Sequence, residues 1–244
     1  MSVKGYKFWI YLVIAGTVAI LSNSCRKEER ADYSLETGSV KDIDGNVYKT
    51  MIIGNQEWMT ENLKTTRFND GRRIDYPGSD NPAWINNRSG AYAWYGNDIS
   101  YKNTYGALYN WHAVNNGNLC PAGWHVPDDA EWTLINKYLA GKAGAELKET
   151  GTAQWQGINS GASAGSGFKA LPGGVRFSDM PGGSRNPAEG YYYYMGRTGR
   201  WWSSSGHSNA DAWYRSIHHD SGNMFRSHSS KETGFSVRCV RNLN

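Results

Sequence analysis

Pro127-Asp128-Asp129-Ala130-Glu131-Trp132-Thr133-Leu134-Ile135-Asn136-Lys137-Tyr138-Leu139-Ala140-Gly141 is the stretch on which the fold class turns. Asp128 stands where a helix cap belongs and Glu131 follows at capping-box spacing. Trp132, Ile135, Tyr138 and Leu139 share one face, and Gly141 ends the run. Ala145 to Glu149 offers a second, shorter helical piece. Around these, the chain reads as strand and turn. Upstream, Val40 and Ile43 lead into the turn Asp44-Gly45-Asn46, Val47 to Ile53 continues as a strand, and Gly54-Asn55 makes a second turn. Ile53 stands where a calcium loop would need its last acid, so Asp42 to Asn46 reads as a turn. Trp58, Met59 and Leu63 follow as core, and Asn69 to Asn103, rich in Asp, Asn, Gly, Pro and Tyr, reads as a long surface excursion. Downstream of Gly151, strand-like runs occur at Gly167 to Leu171, Trp201 to Ser205, Ala212 to Ile217 and Phe235 to Val240. One or two helices among short antiparallel strands and long loops predict an α+β domain.

Composition agrees with that reading. The 244 residues are 39% hydrophobic and 14% aromatic, with eleven Trp, sixteen Tyr and 29 Gly, enough apolar surface for a core and enough glycine for many turns. The formal charge of +4 falls to +2 without Lys4 and Lys7, and no basic stripe is present, so nucleic acid is not an expected partner.

The N-terminus has its own logic. Lys4 and Lys7 precede a mostly apolar run from Phe8 to Leu21, fourteen residues long and short of the about 20 that span a bilayer. Leu21-Ser22-Asn23-Ser24-Cys25 then resembles the end of a bacterial lipoprotein signal, which implies lipid attachment at Cys25. Arg26-Lys27-Glu28-Glu29-Arg30 resembles the charged tag, here Lys27, Glu28 and Glu29, that sends lipoproteins of the Bacteroidetes type to the cell surface. The expected organisation is a signal peptide over 1–24, a lipidated tether over 25–38 and a domain over 39–244, anchored in the outer membrane.

With Cys25 acylated, Cys120 and Cys239 remain as an even pair in an oxidising compartment, and a disulfide is the expected outcome. A free nucleophile or a metal thiolate are the competing readings; no CxxC supports a metal, and Cys120 with His125 is half a zinc site at best.

Six blocks carry a family resemblance. They are Tyr48-Lys49-Thr50; Ile53-Gly54-Asn55-Gln56-Glu57-Trp58-Met59-Thr60-Glu61-Asn62-Leu63; Tyr105-Gly106-Ala107-Leu108-Tyr109-Asn110-Trp111; Cys120-Pro121-Ala122-Gly123-Trp124-His125-Val126-Pro127; Trp201-Trp202-Ser203-Ser204; and Gly234-Phe235-Ser236-Val237-Arg238-Cys239-Val240-Arg241. Together, over roughly residues 40 to 242, the chain resembles the Fibrobacter succinogenes major paralogous domain. The resemblance implies a C-type-lectin-like fold and supplies no ligand. A fainter likeness, in Val126 to Trp132 and Gly234 to Cys239, is to formylglycine-generating enzymes, whose chemistry needs neighbouring thiols near the C-terminus; Cys239 is the last cysteine here.

Catalytic constellations are not evident in the sequence. His112, His125, His207, His218, His219 and His228 show no metal-helix spacing, and the adjacent His218 and His219 of a strand would face opposite ways. His125, between Trp124 and Val126, reads as a hydrogen-bonded turn or core imidazole. No catalytic residue, metal or cofactor is expected. Sugar binding has the best chemical support, because aromatic rings stack on sugar faces while amides and carboxylates read hydroxyls. Tyr192 and Tyr193 with Asn186, and Asn209 with Asp211, are the candidate ligand residues, whereas Trp201, Trp202 and Trp213 read as core. Asn186-Pro187-Ala188 and Trp202-Ser203-Ser204 depart from the triplets of calcium-dependent lectins. The expected partner is a glycan or cell-surface polymer, with a surface protein as the alternative.

Overall fold

A computed structural model describes Met1 and residues 33–157, 159–163, 166–178 and 190–243. The expected signal peptide beyond Met1, Cys25, the Lys27-Glu28-Glu29 tag and Asn186 lie outside the described residues. The first sheet is built from the expected hairpin. β1 (Tyr33–Lys41) pairs antiparallel with β2 (Val47–Ile53), which turns at Gly54 into β3 (Gln56–Met59), and β11 (Val240–Asn242) closes the order β1-β2-β3-β11. β1 thus begins inside the stretch read as tether, because the free edge of β2 supplies backbone partners as far as Ile53 opposite Tyr33. At the β2–β3 turn Gly54 has φ +59, and a Cβ there would sit 2.3 Å from the Tyr138 ring. Only glycine permits that approach.

Several small elements follow: α1 (Asn81–Asn86), β4 (Tyr92–Ala93), α2 (Lys102–Tyr105), β5 (Leu108–Tyr109) and α3 (Trp111–Asn115). The region 69–103 is therefore more than a surface excursion: it delivers Ile74, Trp84, Tyr92 and Trp94 to the interior. Helix α4 (Asp129–Tyr138) starts as its sequence dictates, with Asp128 accepting from the Glu131 amide at 2.7 Å and Glu131 accepting from the Asp128 amide at 2.9 Å. Such a box contributes about 1 kcal/mol to the helix. α5 (Ala143–Leu147) is the short second piece.

The C-terminal half holds β6 (Gly173–Phe177) paired with β7 (Tyr191–Met195), and the three-stranded sheet β10-β9-β8 made of β8 (Thr198–Gly206), β9 (Asp211–His218) and β10 (Met224–Ser230). Two expected strands are not strands. Within Gly167 to Leu171 only Ala170 forms a bridge, and Lys169 at φ +52 breaks the extended chain. Phe235 to Val240 instead stitches: Phe235 bridges Tyr109, Ser236 bridges Trp201, and Val240 bridges His125 and pairs with Trp58.

Adjacent tryptophans of β8 divide the core. Trp202 enters one apolar cluster with Tyr109, Trp111, Phe235 and both disulfide cysteines; Trp201 enters the other with Trp58, Trp132, Ile135 and Phe168. Alternation along a strand sends neighbours to opposite faces, so the sheet is covered on both. Cys120 and Cys239 are bonded, across a sequence separation of 119. The fold is α+β with antiparallel sheets and few short helices. Among the described residues no helix is long and apolar enough to cross a membrane.

Candidate ligand-binding site

Hairpin β8–β9 turns through His207-Ser208-Asn209-Ala210, and this turn is tied down by its own atoms. The amides of His207 and Ser208 donate to the Asp211 carbonyl at 2.9 and 3.0 Å, and Ser208 Oγ accepts from the amides of Ala210 and Asp211. Lys231 Nζ spans the carbonyls of Ser208 and Asn209 at 2.9 and 3.0 Å. A loop fixed by its backbone leaves the exposed side chain of Asn209 pointing to solvent-side contacts, while that of His207 packs on its neighbours.

Next to this turn lies an aromatic ledge. Trp213 is half-buried, not core as its strand pattern suggests. The Arg226 guanidinium lies 3.4 Å from its ring centroid, His207 packs against it at 4.3 Å, and His228 stacks on His207 at 4.1 Å. Asp211 faces His228 at 3.3 Å. Arg226 is held in place by Asp129, which accepts from its Nε at 3.0 Å and pairs with Nη2 at 2.9 Å. The first turn of α4 thus fixes the cation that lies over the Trp213 indole. Burial opposes ionisation of Asp129, but Arg226 and Arg215 outweigh it and hold the carboxyl below its ordinary value.

The structure thus gathers Asn209 and Asp211 with His207, Trp213, Arg226 and His228, and places the two tyrosines elsewhere. Tyr192 hydroxyl donates to Asn97 Oδ1 at 2.7 Å and accepts from Arg176 Nη1 at 2.8 Å. Its ring packs at 5.3 Å from Tyr95, so it serves a structural network and does not present the open platform expected of it. Burial raises its pKa, with Arg176 pulling the other way, to about 12. Tyr193 is half-buried beside Phe177.

A separate cavity of about 410 Å³ opens beside the disulfide, lined by Leu119, Cys120, His125, Val126, Glu131 and Asn242. His125 Nε2 meets both Glu131 oxygens at 2.8 and 3.0 Å, and Glu131 also accepts from Gln56 and the Asp128 amide. Every acceptor position of this carboxylate is engaged, as befits a turn imidazole clamped to a helix cap. The Glu131 hydrogen bond raises the His125 pKa above 6.5; burial opposes ionisation of Glu131, but His125 and the cap lower it below 4.5. The raised base stabilises the fold fully below pH 6.5 and loses that contribution as pH rises through its folded value. The depressed acid stabilises fully above pH 4.5 and loses it as pH falls. We expect the pair to contribute most between those limits, on the order of 0.5 kcal/mol, since His125 is 44% exposed and screened. Chemical unfolding at pH 5.5 and 8.5 should show the stability at the lower pH, relative to the higher, reduced by about that amount in His125→Gln compared with the native protein.

Among the described residues no group of three or more His, Cys, Asp and Glu is placed to hold a metal ion. His218 bonds Ser216 at 3.1 Å and packs on Phe225, so it has local partners of its own.

A family model described as Fibrobacter succinogenes major domain matches residues 51–241. Searches of curated proteins and of solved structures return no match.

Proposed function

The chain belongs to the Fibrobacter succinogenes major domain family, and on that premise we propose that it is a surface-exposed outer-membrane lipoprotein carrying a non-catalytic, C-type-lectin-like binding module for a glycan or cell-surface polymer. The observation that carries the ligand reading is the Trp213 ledge. An indole backed by a fixed guanidinium can stack on the apolar face of a sugar, and His207, Asn209 and Asp211 stand beside it to bond hydroxyls. No step of bond making is assigned to these residues. Glycan arrays probed with the full chain in detergent, with and without calcium, test the reading: binding independent of calcium is expected. Turnover of any arrayed sugar would overturn the non-enzyme part, and absence of binding at high micromolar protein would move the assignment to a protein partner.

Anchoring rests on the sequence around Cys25. Cys25→Ala should release the protein from the envelope, and replacing Lys27, Glu28 and Glu29 by Ala should keep it anchored but shield it from protease added to whole cells. Membrane pelleting of the Cys25→Ala product, or unchanged protease sensitivity of the tag variant, would reject the corresponding part.

A further inference from the structure

On the opposite face of β8 from Trp201, Arg200 has an arrangement that the fold does not explain. Its guanidinium lies among four rings, with Cζ 5.0 Å from the Tyr194 centroid, 5.7 Å from Tyr214, 5.7 Å from Phe235 and 5.9 Å from Phe177. Phe235 is fully buried and forms the inner side; Tyr194 is 40% exposed and forms the outer. Arg67, Arg72, Arg88, Arg215, Arg226 and Arg241 each pair with a carboxylate. Arg200 pairs with none among the described residues, and its Nε is buried without a hydrogen-bond partner. Framed by rings, with neither an acid nor carbonyls such as satisfy Arg238 among the described residues, this cation is a charge held ready for an anion that meets its Nη groups, Nε being enclosed.

Tyr194 adds a second observation. It sits at φ +66, a conformation that a bulky side chain adopts rarely and at a cost. Regular alternation would send Tyr193 and Tyr194 to opposite faces of β7. Here both rings lie beside Phe177, at 6.2 and 6.3 Å. The strained backbone therefore brings an exposed ring to the guanidinium. Across the sheet Arg200 is in register with Ser216, and Ser216 with Phe225, itself 41% exposed, so the same face continues outward as an aromatic surface. Burial, and next the Arg200 charge, lower the pKa of the neighbouring His218, with Asp220 opposing.

We infer that Arg200, with Tyr194 and Phe177, forms a subsite for the carboxylate of a uronic acid residue in an acidic polysaccharide. This rests on the glycan reading above and names the ligand class. A guanidinium matches a planar carboxylate through paired N–H donors, and the adjoining tyrosine ring suits the sugar that carries it. No bond is made or broken.

Calorimetry on the full chain in detergent tests this with three probes: oligogalacturonate, the same oligomer methyl-esterified, and a sulfated galactan. Oligogalacturonate should bind, and esterification should weaken it by about tenfold or more, the loss expected for charge-assisted hydrogen bonds. Arg200→Gln should cause a similar loss and Arg200→Lys a smaller one. Tyr194→Gly should also lose affinity while its melting temperature holds or rises, because glycine accepts the positive φ; this separates ligand contact from misfolding. Unchanged binding in Arg200→Gln, or indifference to esterification, would overturn the subsite while leaving neutral glycan binding at Trp213 intact. Tighter, Arg200-dependent binding of the sulfated probe would overturn the carboxylate assignment. No binding of any glycan, neutral or acidic, would overturn both readings.

Discussion

Replacing Cys120 and Cys239 together by Ser is expected to lower the unfolding free energy by about 4 to 5 kcal/mol. That figure follows from the chain-entropy cost of releasing a closed loop of 119 residues. Both sulfurs lie in the cluster around Trp202, so the replacement also puts two hydroxyls into an apolar interior and adds to the loss. Denaturant unfolding of oxidised wild type, reduced wild type and the double variant checks it. The reduced protein should fall well below the oxidised form, and the variant at or below the reduced protein. A variant as stable as oxidised wild type would mean that the C-terminal stitch is held by its side chains alone.

The second large effect belongs to Arg238, which is fully buried and has no acidic partner within hydrogen-bonding distance among the described residues. Its Nε donates to Asn62 Oδ1 at 2.8 Å. Nη1 serves the carbonyls of Met59 and Phe168 at 3.0 and 2.8 Å, and Nη2 serves that of Lys169 at 2.9 Å. Asn62 in turn accepts from Trp201 Nε1 and donates to the Tyr105 carbonyl. One side chain thus satisfies three backbone carbonyls, that of Met59 at the end of β3 and those of Phe168 and Lys169 in the stretch where a strand was expected. Burial pushes its pKa down, yet only the protonated guanidinium has donors enough for this set. Arg238→Met keeps much of the volume and strands those carbonyls, at about 1 to 3 kcal/mol each, so we expect a loss of at least ~3 kcal/mol. Arg238→Lys, with a single ammonium, should recover part of it. Thermal unfolding of the three proteins decides the matter, and an unperturbed Arg238→Met would remove the guanidinium from the account.

The bridge and Arg238 mark what the sequence could and could not tell. The bridge was legible because Cys120 and Cys239 are the pair left once Cys25 is set apart as the expected lipid site. Helix α4 was legible because its cap, its apolar stripe and its stop are local. The hairpin of β1 and β2 was legible for the same reason. Arg238 stood inside a quoted block, but its role depends on carbonyls about 70 and 179 positions away, and no local pattern carries that. Strand β10, Met-Phe-Arg-Ser-His-Ser-Ser, shows no alternation because neither of its faces is fully buried; pairing with β9 makes it a strand.

The candidate site was legible in part. Asn209 and Asp211 were singled out by residue type and position, and they lie in or next to the turn beside the half-buried Trp213. Trp213 was assigned to the core because it lies in an apolar strand run, and strand alternation cannot say where the covering helix begins. A signal was present in hindsight: Trp213 follows a polar loop and faces the histidine-bearing β10. Arg200 carried none, since an unpaired arginine is recognised only once its surroundings are known.

The measurement that tests the central claim most directly is the affinity of Trp213→Ala, compared with wild type and Tyr76→Ala, for the strongest neutral glycan on the array. Tyr76 is exposed, at 44%, but lies away from the β8–β9 turn beside Tyr92, so its loss controls for nonspecific effects of removing a surface aromatic. We predict a loss of about tenfold or more for Trp213→Ala, as for removal of a stacking ring, and wild-type affinity for Tyr76→Ala. Equal affinities in all three proteins would contradict the claim that this ledge is the binding site.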